Sequence, residues 1–179
     1  MTKRRGDAAD FPLENAALGL LVVGPKHGYE LYRDFLKTFS PIWKAGRSKF
    51  YAALADLNAR GFLDATVEPQ TDRPPRKVYH ITEVGRQFLM EWLYQPVTPI
   101  HQCRVELLAK LRFFDLLGLS DVSRLIDAQL GVCYAALQRI REQEAGDDPL
   151  YRLVYSFREK RVKALIEWLG ECESSIRDD

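Results

Sequence analysis

Two stretches of this chain hold cationic side chains with no carboxylate to neutralise them. Residues 35–55 contain Lys37, Lys44, Arg47 and Lys49, and residues 73–82 contain Arg73, Arg76 and Lys77, with no Asp or Glu in either window. Arginine and lysine in such clusters recognise anions rather than make bonds, because they act as hydrogen-bond donors and fixed positive charges. The chain as a whole is nearly neutral, 26 Lys+Arg against 25 Asp+Glu in 179 residues, so both windows stand out as local patches. Residues 1–94 hold 14 basic and 11 acidic side chains and residues 95–179 hold 12 and 14, which places the surplus in the first half.

The residues that would do covalent or metal chemistry are scattered. His27, His80 and His101 form no HExxH, and there is no GxSxG and no glycine-rich phosphate loop. No catalytic residue, metal ligand or cofactor is therefore expected, and the chain is not read as an enzyme. Cys103, Cys133 and Cys172 are odd in number and far apart, without a CxxC pair. That pattern speaks against a disulfide framework and a zinc site. They read as buried thiols acting as small hydrophobes, with a redox-sensing thiol as the alternative.

With 46% hydrophobic and 28% charged residues the composition is that of a globular protein. No apolar run approaches the ~18–20 residues of a membrane span. The opening MTKRRGDAAD has a basic cluster but no apolar stretch behind it, so no secretory signal is read and a cytoplasmic protein with no membrane partner is expected.

The elements that must position the basic windows follow from periodicity. Leu13, Ala16, Ala17, Leu20 and Leu21 keep helical spacing up to Gly24-Pro25, and Leu31, Tyr32, Phe35, Leu36 and Phe39 mark a second helix. A third, at about 47–60, turns Phe50, Ala53, Leu54 and Leu57 inward and stops at Gly61. The period then falls to two. Leu63, Ala65 and Val67 alternate with polar residues, and after Pro69–Pro75 so do Lys77, Tyr79 and Ile81 with Val78 and His80, which predicts a hairpin wing at about 64–81. Thr82 is placed to cap a fourth helix carrying Phe88, Leu89, Trp92 and Leu93. Three helices followed by two strands and a helix make a winged helix-turn-helix over residues 1–94.

With Phe50, Leu54 and Leu57 facing the core at ~100° per residue, the opposite face of the third helix is Ser48, Ala52, Ala55 and Ala59. Small side chains let a backbone approach another surface closely. Arg47, Lys49 and Tyr51 flank this ridge at its leading end, a profile that suits insertion into the major groove of DNA, where an alanine can also touch a thymine methyl. The bland alternative packs the alanines on another helix. Arg73 at the stiff hairpin tip, with Arg76 and Lys77 on the returning strand, suits the adjacent minor groove or backbone. Lys3, Arg4 and Arg5 add a basic arm.

Three blocks then carry a resemblance: His27-Gly28-Tyr29-Glu30-Leu31; Phe50-Tyr51-Ala52-Ala53-Leu54 running to Arg60-Gly61-Phe62-Leu63; and Arg76-Lys77-Val78-Tyr79-His80-Ile81-Thr82-Glu83-Val84-Gly85-Arg86. In this order and spacing they resemble the PadR family of bacterial transcriptional regulators, and Leu165-Ile166-Glu167-Trp168-Leu169 resembles its longer subfamily related to virulence-gene activators. The resemblance implies a homodimer held by C-terminal helices, presenting two recognition helices to a palindromic operator in double-stranded DNA, read here as a repressor. Tyr51 matches the family tyrosine of the recognition helix, and Arg76 and Lys77 match its wing pair. Ser48 and Ala52 stand where the family commonly has glycine and proline. A winged helix used only for protein interaction is the alternative, and a dimer of the MarR type fits less well because the dimer helices here all follow the wing.

Gln95-Pro96-Val97-Thr98-Pro99 reads as a stiff linker to a helical dimerisation domain over residues 95–179. Three amphipathic helices are predicted there: one through Leu107, Leu108, Leu111 and Phe114 to Gly118, one from a Ser120 cap through Cys133 and Ile140, and one from an Asp148 cap with Pro149 at its first position. The resemblance also implies a small aromatic or lipophilic effector, for which Trp92, Tyr94, Phe113, Phe114 and Tyr134 are the candidate pocket, although rings at helical spacing equally describe core.

Overall fold

The first predicted helix is apolar on nearly every side, and such a helix must be surrounded. In the computed structural model, which describes residues 12–69, 76–143 and 148–177 with side chains to residue 172, it lies at the centre of the first of two units. That unit comprises residues up to Tyr94 together with Arg104–Leu119, and the second comprises Gln95–Cys103 and the chain from Ser120.

In the first unit, α1 (Leu13–Val22) is enclosed by α2 (Gly28–Phe39), α3 (Arg47–Ala59) and α4 (Glu83–Tyr94), and Leu13, Ala16, Ala17, Leu18, Leu20 and Leu21 are all buried. Phe35 and Phe50 stand 5.0 Å apart by ring centroid, locking α2 to α3, and Phe39 meets Phe113 at 5.1 Å. Each such side chain contributes roughly 1.5–3 kcal/mol by leaving water. α5 (Cys103–Leu117) is grouped by the sequence with the C-terminal half. Its Phe113 ring lies so close over Gly19 of α1 that a Cβ there would overlap it at 2.2 Å, so most of this helix packs in the first unit.

The sheet has three strands in the order β1-β3-β2, formed by Lys26–His27, Arg76–Ile81 and Leu63–Glu68. The hairpin pairs β2 with β3 from Leu63 opposite Ile81 to Glu68 opposite Arg76, and β1 adds Lys26 opposite Tyr79. β1 goes unseen in the sequence because two residues carry no period. Toward its tip the hairpin leaves the core: Leu63 is buried whereas Val67 is 59% exposed.

Two local devices set the hairpin's angle. α3 ends at Gly61, whose φ of 75° is costly for any residue with a Cβ; the Phe62 N–H then bonds back to the Leu57 carbonyl at 3.0 Å. Thr82 caps α4 by accepting the Gly85 N–H at 3.0 Å while donating to the Gly61 carbonyl at 2.8 Å, tying both ends of the hairpin together. Gly85 itself touches the Phe62 carbonyl, where a Cβ would sit 1.9 Å from the oxygen.

In the second unit α6 (Val122–Glu142) and α7 (Pro149–Arg177) pack side by side. The N-cap of α6 is Asp121 and not the expected Ser120, and the Arg124 N–H reaches the Asp121 carbonyl at 3.1 Å. Asp148 does cap α7, its Oδ1 accepting the Leu150 N–H at 2.8 Å ahead of Pro149. Gln129, fully buried, clamps the linker: its Oε1 accepts the Val97 N–H at 2.6 Å and its Nε2 donates to the Val97 carbonyl at 3.2 Å.

Candidate nucleic-acid interface

Helix α3 turns Phe50, Leu54 and Leu57 fully inward, and that choice presents the opposite face to solvent. Ser48, Ala52, Ala55 and Ala59 are all exposed. The helix starts at Gly46 with no capping side chain and no acid in its first turn. Its leading end therefore offers backbone dipole and cations together, the arrangement that attracts phosphate. The loop before it is anchored by the Tyr32 hydroxyl, which donates to the Ala45 carbonyl at 3.1 Å.

Around that end the side chains are arranged by aromatic contact. The Arg47 guanidinium lies 5.8 Å from the ring centres of both Tyr29 and Tyr51, and Lys49 lies 5.7 Å from that of Trp43. Such stacking steers a cation without consuming its charge. Tyr51 of α3 meets Arg76, Lys77 and Tyr79 of β3 across a cleft of about 480 Å³ that also takes in His27, Gly28, Tyr29 and Glu30. Gly28 makes this closure feasible: a Cβ there would lie 3.0 Å from the Tyr51 ring and 3.1 Å from that of Tyr79.

Within the cleft Glu30 is engaged, accepting the His27 N–H at 3.3 Å. His27 Nε2 lies 3.9 Å from Glu68 Oε2, while its Nδ1 is buried with no hydrogen-bond partner among the described residues. Burial pushes the Tyr79 phenol up, with Tyr51 adding to the effect, so at neutral pH this hydroxyl is a neutral hydrogen-bond donor. The chemistry of the face is that of an anion receptor: cations and hydroxyl donors at the rim of a slim helical ridge.

Of the residues expected to meet DNA, Arg47, Ser48, Lys49, Tyr51 and Ala52 thus share one end of α3, and Arg76 and Lys77 adjoin it across the cleft. Arg73, like Lys3, Arg4 and Arg5, lies outside the described residues. The expected effector rings fall differently. Trp92, Tyr94, Phe113 and Phe114 lie in the first unit, where Phe113 and Phe114 are buried and Trp92 and Tyr94 half-buried, Trp92 edge-on to Phe113 and Tyr94 edge-on to Phe114. Tyr134 stands on α6 in the second unit, 55% exposed. Among the described residues no group of three or more His, Cys, Asp or Glu side chains is disposed to hold a metal.

Residues 17–91 match the family described as Transcriptional regulator PadR-like family, and residues 103–177 match the one described as Virulence activator alpha C-term. Residues 17–91 are a PadR-like domain. It is similar to the Negative transcriptional regulator PadR of Bacillus subtilis (strain 168), 27% identical over 181 aligned residues that span 93% of this chain and 98% of the relative. Crystal structures of that Bacillus subtilis PadR in complex with operator DNA and with p-coumaric acid each cover 92% of this chain and 98% of theirs at 27% identity, with TM-scores of 0.45 and 0.41.

The geometry of this PadR-like chain explains residues in its family blocks that composition left silent. Tyr29 and Tyr79 join the cleft, yet neither was a candidate contact. Tyr79 reads from sequence as an ordinary strand residue, and Tyr29 stands on a different helix from the ridge. Gly85 and Gly28 are required for close approach, a fact invisible without knowing what approaches.

Proposed function

We propose that this PadR-like transcriptional regulator binds a palindromic operator in double-stranded DNA as a homodimer, acts as a repressor, and is relieved by a small aromatic or lipophilic effector. The observation that carries this reading is the exposed small-residue ridge of α3, with Arg47 and Lys49 beside it and Arg76 and Lys77 across the adjoining cleft. Ser48, Ala52 and Arg47 would enter the major groove, and the wing cations would meet the backbone or the neighbouring minor groove.

Residues 1–94 would supply the DNA-binding part and residues 95–179 the dimer. The support for the latter is α7, whose first half exposes Leu150, Leu153, Val154 and Phe157 along one side at helical spacing. Two protomers set their recognition helices about one DNA turn, ~34 Å, apart. No described helix is long and apolar enough to cross a membrane, and the role places the protein in the cytoplasm, on the nucleoid when DNA-bound.

The test is a salt titration of binding to duplex DNA from the chain's own upstream region. Affinity should fall by about 10³-fold or more between ~50 and ~200 mM salt if several phosphates are neutralised. Arg76→Ala should flatten that slope by about one contact. Salt-insensitive binding, or none, would instead mark a winged helix that meets protein.

A further inference from the structure

A groove in the second unit has a composition for which DNA binding has no use. It lies where the Thr98–His101 segment, α6 and α7 meet, with a volume of about 710 Å³. Small-molecule sites typically occupy ~300–1,000 Å³. Arg139 of α6 and Arg158 and Arg161 of α7 line it, with His101 on the linker side, and among the described residues none that lines it is acidic. In a chain of 26 cations and 25 acids, three guanidinium groups sharing one concavity with no carboxylate among the described lining residues are a charge arrangement that calls for an anion.

Among the described residues no carboxylate is paired with these three arginines. Glu159, which lies between Arg158 and Arg161 in sequence, points to Lys163 at 2.8 Å and Arg141 at 3.6 Å. The Lys163 hydrogen bond, foremost, holds the Glu159 carboxyl below the usual range. Arg158 lies over the Tyr155 ring at 5.8 Å and Arg161 over that of Phe157 at 5.5 Å, while Arg139 donates from Nε to the Ala135 carbonyl at 3.2 Å. Stacking, or one bond from Nε, leaves the outer guanidinium N–H groups for a ligand. Beneath them Val132, Ile140 and Val162 make an apolar floor, and Val162 is 4% exposed. The Gln129 clamp on Val97 holds the linker beside the segment that forms the remaining wall.

We propose that this groove binds a small amphipathic anion, its hydrocarbon or aromatic body on the Val132, Ile140 and Val162 floor and its carboxylate or phosphate head among the arginines. An inorganic ion would leave the floor uncovered, and a neutral lipid would leave three cations unmatched. Arg161 also stacks on Phe157 of the exposed α7 face. Occupancy would therefore bear on the dimer surface, and this regulatory consequence rests on the function proposed above, whereas the binding itself does not.

Calorimetric titration of the full chain with decanoate, decyl phosphate and decanol, each below its aggregation limit, tests the site. Saturable binding of either anion, one per protomer, is expected, and the tighter of the two names the head group. Decanol should bind at least about tenfold more weakly, as loss of a charge-assisted pairing implies. The exposed pair Arg139→Gln with Arg158→Gln should lower anion affinity by about tenfold or more at an unchanged melting temperature. Equal binding of decanol and decanoate, full anion affinity in the double variant, or no saturable binding would overturn the proposal. Decanoate binding by a chain that ignores duplex DNA would sink the operator reading alone, and DNA binding without decanoate binding would sink this site alone.

Discussion

Ala52 and Ala55 each present a single methyl where α3 would come closest to base pairs, and both are exposed. Enlarging that surface should block approach without disturbing the core behind it. Lys49→Ala and Tyr51→Phe are gentler changes at the flank, expected to weaken operator binding by about 1 kcal/mol each, roughly fivefold, while the melting temperature holds. Fluorescence anisotropy with labelled operator measures the first and calorimetry the second; full affinity in both variants would move the recognition face elsewhere. Gly85→Ala belongs to the opposite category. Its added methyl would overlap the Phe62 carbonyl at 1.9 Å, a rigid backbone group that cannot swing aside, so a loss of at least about 2 kcal/mol of stability is expected in chemical denaturation. Lys110 is a residue-scale result of another kind. It is 1% exposed, and its ammonium lies 3.2 Å from the Glu106 carboxylate and 4.8 Å from the Trp92 ring centre, while Glu106 also accepts the Trp92 indole N–H at 2.8 Å, so this buried charge has an anionic partner.

At the scale of elements, the wing owes its angle to the residues that end α3 and begin α4. Thr82→Ala removes the α4 cap and the tie to Gly61 together, and a cost of about 1 kcal/mol or somewhat more is expected, with faster amide exchange at Gly85 as its local signature. Helix α6 carries a pH-dependent element of its own. Burial, opposed in part by the Gln129 hydrogen bond, pushes the Cys133 thiol up, so the fold favours its protonated form. A folded value above the unfolded one means that this stabilisation is complete below the ordinary thiol value, ~8.5, and is lost as pH rises through the folded one. Denaturation midpoints under reducing conditions should therefore fall between pH 7 and pH 10, and Cys133→Ala should fall less. An equal fall in both proteins would show that this thiol is not a source of the alkaline loss.

For the whole molecule the deciding surface is the first half of α7. Leu150, Leu153 and Phe157 are 66%, 68% and 61% exposed, a contiguous apolar side of the kind that marks an interaction surface. Phe157→Glu should shift the protein from dimer to monomer in light scattering at micromolar concentration. Operator affinity should fall with it by orders of magnitude, because a single half-site contact loses the effective concentration supplied by its tether. A dimer that survives this substitution would place the interface on another side of the C-terminal helices.

Sequence alone determined what local chemistry encodes. Period 3.6 and period 2 separated helices from hairpin, Gly61 and Asp148-Pro149 marked a stop and a start, and Phe50, Leu54 and Leu57 assigned the inner face of α3. The exposed ridge follows from that assignment because a helix has only one opposite side. Tertiary structure decided what depends on elements distant in sequence. It added the two-residue β1, which exists only as a partner of β3. It put Phe113 against Gly19 and Phe39 in the core of the first unit, and it gathered Tyr29, Tyr51, Tyr79 and Arg76 around one cleft. Arg139 and Arg158 look in sequence like two more surface cations; packing α6 against α7 makes them neighbours. Periodicity tells which way a side chain faces, and only packing tells what it meets there.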